Sequence, residues 1–417
     1  MNEITDENPN LIISLIENKL LKKNITEAFS LIGHFREKFP FNKKIDHFLE
    51  KQKNDLEKNH VTSKKQLLNI YKSSSKFEAI DKLIDISKKD NLNSLVYSLI
   101  SNLYGELGDL NLSKSYGIKA ISLNPFEENY YLNLSLTLDR LTHYNQSFEL
   151  INIAKNLNPF DLKINLQFSR CSFNLKNYNL SITTFEKIIK NNHNLELKTE
   201  FLRKLLSANK FRKVLKTIDN IKSSEKNIEL VIIKSAALRN LNRVNEAKEL
   251  LLNLSVKNAN LYSHLGLCED ARNDFVAARE YHEKALKIEP NNEFILKNLA
   301  NNYYYSGDFE LAIKYYKSIL EKNKSNYEVR YFLSLLQLNQ SNFKDGWKNF
   351  SSRWQSHTNN SKFLKINLPI YQKGKSYKSV LVWSEGGVGD QILFLRVLNY
   401  LQKENIQIYV YLDEKLN

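Results

Sequence analysis

A repeat with a period of about 34 residues runs through most of this chain and decides what it can fold into. Pro125 and Pro159 stand 34 residues apart, each after Leu-Asn, and Ala120 and Ala154 share that offset. A second, longer series consists of a small residue preceded three positions earlier by a large one. Tyr144 precedes Ser147, Tyr178 precedes Ser181, Phe211 precedes Val214, Phe275 precedes Ala278, Phe309 precedes Ala312 and Phe343 precedes Gly346. Leu110 before Ser113 and Val244 before Ala247 are aliphatic versions, and Ala79 and Ala28 extend the series less regularly toward the N-terminus. From Ala79 to Gly346 the intervals are 34, 34, 34, 33, 33, 31, 34 and 34 residues. A fixed period of this length is the mark of a stacked array of supersecondary units, none of which can bury its apolar face alone.

Each period reads as a helix pair. The small residue lets the two helices approach closely, and the large residue opens the second helix. Pro125, Pro159 and Pro290 end that helix, because proline cannot continue it. Gly108-Asp109 and Gly307-Asp308 mark turns between paired helices. Composition agrees: 11 Gly and 6 Pro among 417 residues are too few for a turn-rich β fold, and 42% hydrophobic with 26% charged residues is globular. Cys171 and Cys268 follow Ser169 and Gly266 by two residues, which are equivalent repeat positions. They read as buried packing residues, without the spacing of a disulfide framework or a metal site.

The segment from Leu261 to Pro290 resembles a tetratricopeptide repeat, with Tyr262, Leu265-Gly266, Ala278, Ala285 and Pro290 in the family's positions. The next period repeats the resemblance with Leu299-Ala300, Tyr303, Ala312 and Tyr316. The fold expected is mostly α: a right-handed α-solenoid of helix pairs. The array spans residues 66–354, with an irregular helical N-terminal cap over 1–65 and an unsettled register over 191–256, where the periods shorten and no proline closes them. In this family the first helix of each pair lines a concave groove that holds a protein or peptide. The groove candidates here are Asn102, Arg140, Arg170, Lys297, Asn301, Tyr304 and Tyr305. Lys297 and Asn301 share a helix face and resemble half of the clamp with which chaperone-binding relatives hold a C-terminal carboxylate. Leu335 stands where the clamp needs a second Asn. Asn side chains donate and accept at once, which suits an extended peptide backbone, and a solvated polar helix face is the alternative reading of each candidate.

The repeat ends at Trp354. Residues 355–377 are polar and irregular and read as a linker. Residues 379–384 form an apolar run suited to a buried strand, residues 391–402 an amphipathic helix, and residues 406–412 a second strand. Over 378–417 this is the strand–turn–helix–strand opening of a Rossmann-like α/β unit. The intervening turn, with Gly386, Gly387, Gly389 and Asp390, permits close backbone approach by a ligand at a helix N-terminus. It is neither a dinucleotide fingerprint, since Ile392 stands where the last Gly belongs, nor a P-loop, since no Gly-Lys-Ser/Thr is present. The segment from Gly346 to Trp354, the linker, and the stretch from Leu381 to Phe394 together resemble bacterial proteins in which a repeat array precedes a heptosyltransferase-like glycosyltransferase. That resemblance implies a GT-B fold, a nucleotide-sugar donor, and Asp390 as the general base that takes the acceptor hydroxyl's proton. The competing role for Asp390 is to cap the helix after Gly389. The resemblance also implies that the sequence stops two strands into this domain. The expectation is then a fragment or truncated product that binds no cofactor and transfers no sugar alone, with a pure interaction scaffold as the alternative.

The formal net charge is +15, but only twelve of the 61 basic residues are Arg, and Lys is scattered over every segment. That speaks against a nucleic-acid reader with a clustered basic stripe and for attraction to acidic partners. The N-terminal residues carry neither a basic n-region nor a long apolar run, so no leader or membrane span is expected and the cytoplasm is the default location.

Overall fold

The computed structural model describes residues 9–38, 43–57, 60–72, 75–190, 192, 194–221, 227–355, 369, 371–372, 375–383, 387–396, 398–402 and 406–412. The chain divides into two compact units, Met1–Ile221 and Lys222–Asn417. In both, the architecture is a tetratricopeptide-like stack of antiparallel helix pairs, and the second unit also holds a small two-stranded sheet.

The first unit contains α1 (Pro9–Leu21), α2 (Ile25–Lys38), α3 (Lys43–Glu57), α4 (Lys64–Tyr71), α5 (Lys76–Lys89), α6 (Ser94–Leu107) and α7 (Leu110–Leu123). It continues with α8 (Glu128–Arg140), α9 (Tyr144–Leu157), α10 (Leu162–Asn174), α11 (Tyr178–Lys190), α12 (Leu195–Ser207) and α13 (Phe211–Asp219). The second unit contains α14 (Ile228–Asn240), α15 (Val244–Leu252), α16 (Ala259–Asp270), α17 (Phe275–Ile288), α18 (Glu293–Ser306), α19 (Phe309–Lys322), α20 (Tyr327–Asn339) and α21 (Phe343–Phe350). A 3-10 turn (Ser351–Trp354) ends the repeats; β1 (Ser379–Trp383), α22 (Val388–Leu395), α23 (Leu398–Gln402) and β2 (Gln407–Tyr411) follow.

The register read from the sequence holds through the stretch left unsettled. Every second helix from α7 to α21 begins on the large residue of its pair, Phe211 of α13 and Val244 of α15 included. The small residue is always fourth in its helix, and Ala28 of α2 and Ala79 of α5 keep the same offset. It is buried in each case, from Ser113 and Ser147 to Val214, Ala247, Ala278 and Ala312. Close approach shows directly in α8–α9, where Ser147 Oγ donates to the Ser135 carbonyl at 2.8 Å, and in α10–α11, where Ser169 and Ser181 each donate to the other's carbonyl. The 31-residue interval from Ala247 to Ala278 contains the nine-residue α15, and α13 is equally short, against fourteen residues in α9 or α17.

The turns follow one rule. At nine pairs the backbone is left-handed five residues before the small residue: Lys23, Gly108, Thr142, Lys176, Asn209, Asn242, Asn273, Gly307 and Ser341 all have φ between 57° and 89°. Glycine takes this conformation without a Cβ penalty and Asn tolerates it, whereas Lys, Thr and Ser are held there by the helices on either side. Asp or Asn then caps the first helix of each later pair. Asp161, Asn194, Asn227, Asn258, Asn292 and Asn326 accept backbone N–H bonds at the starts of α10, α12, α14, α16, α18 and α20.

Helix α2 lies against α9, well inside the first unit's array, and α1 packs on α2 and α3. Phe29 makes edge-to-face contacts with Phe126 at 5.7 Å and Tyr131 at 6.3 Å. Gly33 is seated on Asn156, where a Cβ would meet the side chain at 2.3 Å. Arg36 joins the Leu157 carbonyl to Asp46, and Lys53 pairs with Glu127 and Glu128. A polar cavity of about 360 Å³ lies along this seam.

In the second unit β1 and β2 pair in parallel, from Ser379 opposite Gln407 to Trp383 opposite Tyr411. The connection runs through α22 and α23, so the strand–helix–strand order expected from the sequence is present. Its helical part begins three residues earlier than expected, at Val388, and is split into two short pieces.

Candidate functional site

The groove candidates from the first unit lie on α6, α8 and α10. Asn102 is half-buried on α6. Arg140 reaches back along the stack, its Nη1 donating at 2.6 Å to the Gly105 carbonyl near the end of α6. Arg170 makes a two-pronged bond with Glu200 of α12, at 2.8 and 2.7 Å. Burial pushes the Glu200 carboxyl up, but Arg170 outweighs it and holds the group below its ordinary range. Both arginines therefore tie neighbouring first helices together, and a partner competing for either must break an existing bond.

In the second unit Lys297, Asn301, Tyr304 and Tyr305 share α18. Lys297 Nζ is paired with Glu328 of α20 at 3.0 Å, and Asn301 Oδ1 accepts from the Tyr316 hydroxyl at 2.6 Å. The two groups that resembled half of a carboxylate clamp are thus engaged inside the stack. Tyr316 is buried, and burial drives its hydroxyl pKa well above the ordinary range, so it donates to Asn301 as a neutral phenol. Tyr304 is half-buried and meets Tyr305, Phe309 and Phe332. Tyr305 is 62% exposed. From there ring contacts continue through Phe332, Tyr331 and Phe350 to Trp347, itself half exposed. Of the α18 candidates, Tyr305 offers an aromatic surface to a partner at no cost in existing polar bonds.

A buried polar network went unnoticed in the sequence. His282 of α17 is fully buried and shares a 2.8 Å hydrogen bond with Asp270 of α16, and Asn302 of α18 donates to the same carboxylate at 2.7 Å. Arg279 of α17 reaches Asn302, Ser306 and Asp308 and lies over the Tyr303 ring. The signal available was His282 at the position where the next period has Tyr316, opposite Gly266.

At the C-terminal turn, Gly386 lies outside the described residues. Gly389 is the second residue of α22 and Asp390 the third, with Gly387 just before the helix. Asp390 Oδ2 accepts from the Gly387 N–H at 3.3 Å, which is one half of a capping box. A Cβ on Gly389 would meet nothing within 4 Å, and one on Gly387 only the Asp390 carboxylate at 3.8 Å. Packing therefore does not demand glycine at either place. Cys171 and Cys268 are both fully buried free thiols, raised in pKa by burial. Among the described residues no cluster could hold a metal ion and no helix is long and apolar enough to cross a membrane.

Residues 95–127, spanning α6 and α7, match the family model of the tetratricopeptide repeat. A 70-residue stretch is 41% identical to the photosystem I assembly protein Ycf3 of Prochlorococcus marinus (strain NATL2A), covering 16% of this chain and 40% of that protein. Among solved structures, the chain is similar to the APC/C hetero-tetramer Cut9–Hcn1, at TM-score 0.41 and 12% identity, covering 81% of this chain and 57% of that one. It is also similar to YrrB, a TPR protein with an unusual peptide-binding site, at TM-score 0.31 and 13% identity, covering 52% and 97%.

Proposed function

We propose that this protein is a tetratricopeptide-type scaffold that holds a polypeptide on its first-helix face and delivers it to a glycosyltransferase whose opening strands are β1 and β2. The observation that carries the first half is the exposed Tyr305 ring, backed by Tyr304, on a helix whose other candidates, Lys297 and Asn301, are taken by internal bonds. An aromatic side chain supplies large contact area at small entropic cost. The second half rests on the parallel β1–β2 pair and on a turn whose Gly387 and Gly389 answer no packing need, so that their missing side chains leave the backbone open to a ligand. In that reading Asp390 takes the acceptor's proton and the donor is a nucleotide sugar.

A peptide-display selection tests the first half. Selected peptides bind wild type, and Tyr305→Ala weakens them at least about tenfold, the loss of one aromatic anchor, without lowering stability. Since residues 1–417 alone are expected to transfer no sugar, the second half is tested on the complete product of the gene, by supplying nucleotide sugars with the selected peptide and following its mass. A hexose or heptose increment that disappears in Asp390→Asn supports it. Binding without any increment leaves the interaction scaffold, a reading favoured by the capping bond between Asp390 and Gly387.

A further inference from the structure

Among the described residues, three buried side-chain atoms outside hydrogen-bond geometry, Ser235 Oγ, Arg239 Nη1 and His264 Nδ1, belong to one box between α14 and α16. Ser235 and Arg239 are four apart on α14; His264 and Cys268 are four apart on α16, so each pair shares a helix face. α14 and α16 pack together, and the Cys268 thiol, a weak acceptor, is the one polar partner that the Ser235 hydroxyl and the Arg239 guanidinium find among the described residues of the box. His282 Nδ1, a fourth such atom, adjoins the box from α17. The carboxylates next to the box are committed elsewhere. Glu269 pairs with Lys248 and lies 3.6 Å from Arg272, while Asp270 serves His282 and Asn302. A guanidinium withdrawn from water with only a neutral thiol beside it is costly, and its fork geometry matches a carboxylate. His264 and Arg239 are half-buried as whole residues and stand on α16 and α14, the first helices of their pairs, so the box borders the first-helix face without being sealed. Burial, and then the adjacent Arg239, hold the His264 imidazole down at about 4, so the ring is neutral and carries one N–H to donate.

We propose that Arg239 and His264 form a carboxylate seat that takes an Asp or Glu side chain of an acidic polypeptide lying on this face. Arg239 Nη1 and the His264 ring N–H donate to the two carboxylate oxygens, with the Ser235 hydroxyl as a third donor. The net charge of +15 draws such a partner in. The seat rests on the reading that the first-helix face holds a polypeptide, and it adds the partner's chemistry.

Acetate tests the seat alone. The ring nitrogen signals of His264 are followed by NMR in the full chain as acetate is added at constant ionic strength. A saturable shift in wild type, kept in Lys344→Met and weakened at least about tenfold in Arg239→Met, a loss on the scale of a charge-assisted bond, is the expected result. Hexaglutamate and hexaglutamine peptides are compared in parallel by fluorescence anisotropy, and a preference for glutamate that Arg239→Met removes is expected. No saturable acetate shift, a shift unchanged in Arg239→Met, or a response to phosphate but not acetate overturns the seat. If selected peptides bind the face with no glutamate preference, the seat falls and the polypeptide-holding reading stands. If acetate saturates the seat and no peptide binds, that reading falls and the seat stands. Circular dichroism of Arg239→Met establishes that any loss is not unfolding.

Discussion

Gly266 is the position where one added methyl group has the most to displace. A Cβ there would stand 2.5 Å from His282 Cε1 and 2.7 Å from its Nδ1. The ring has nowhere to go, being fully buried and tied to Asp270 through Nε2. Overpacking of this kind costs about 1–3 kcal/mol, and pulling the ring off a carboxylate costs about 1.5–3 kcal/mol more. Alanine recovers about 1 kcal/mol of helix propensity over glycine. The net for Gly266→Ala is a destabilisation of about 2–4 kcal/mol, confined first to α16 and α17, because a stacked array communicates between nearest neighbours. Native-state hydrogen exchange reads it directly: amides of α16 and α17 exchange at least ~30-fold faster, the factor that corresponds to ~2 kcal/mol. In a His282→Ala background the same substitution becomes neutral or stabilising by up to ~1 kcal/mol, since only the propensity gain is left. Equal costs of Gly266→Ala in both backgrounds would refute the reasoning, as would slowed exchange in the single variant.

Thr142 is a β-branched residue at φ 61° in the α8–α9 turn. Thr142→Gly relieves about 1–2 kcal/mol of left-handed strain against about 0.5–1 kcal/mol of added chain entropy, so denaturant unfolding of the first unit shifts upward slightly; Gly307→Thr at φ 89° shifts the second unit downward by more. Burial pushes the Glu128 carboxyl up, but Lys53 and Asn158 outweigh it and hold it below the ordinary carboxylate range. A depressed acid stabilises fully above its unfolded pKa of about 4.3 and less as pH falls through the lower folded value. Protection factors of α1–α3 amides are therefore flat above about pH 5.5 and fall below pH 4.3; Glu128→Gln lowers them at neutral pH and flattens the acid response, and an unchanged acid response in that variant contradicts the assignment.

The repeating part of this fold was written locally, and so it was legible. Tyr144, Phe275 and Phe309 marked the first residue of each second helix, and Ser147, Ala278 and Ala312 the closest approach, because sequence spacing maps directly onto helix geometry within one pair. Gly108 and Gly307 exposed the turn rule at two pairs only. At Thr142, Lys176 and Ser341 the same backbone is imposed by the flanking helices, and no residue type announces it. The seat of α2 on α9 was not legible, since Arg36 and Leu157 meet across 121 positions and nothing periodic links them. The candidate site shows the same division. Which residues share the first-helix face followed from period and offset, so Lys297, Asn301, Tyr304 and Tyr305 fell together on α18. Whether each is available did not follow: Lys297 is taken by Glu328, Asn301 by Tyr316 and Arg170 by Glu200, all from other helices. The Arg239–His264 box escaped for the same reason, its two halves lying on helices of different repeats.

The central claim is that a polypeptide lies on the first helices. A hydrogen-exchange footprint of a display-selected peptide tests it most directly. The account predicts added protection in α16, α18 and α20 with α17 and α19 unchanged; protection concentrated in α17 and α19 would contradict it.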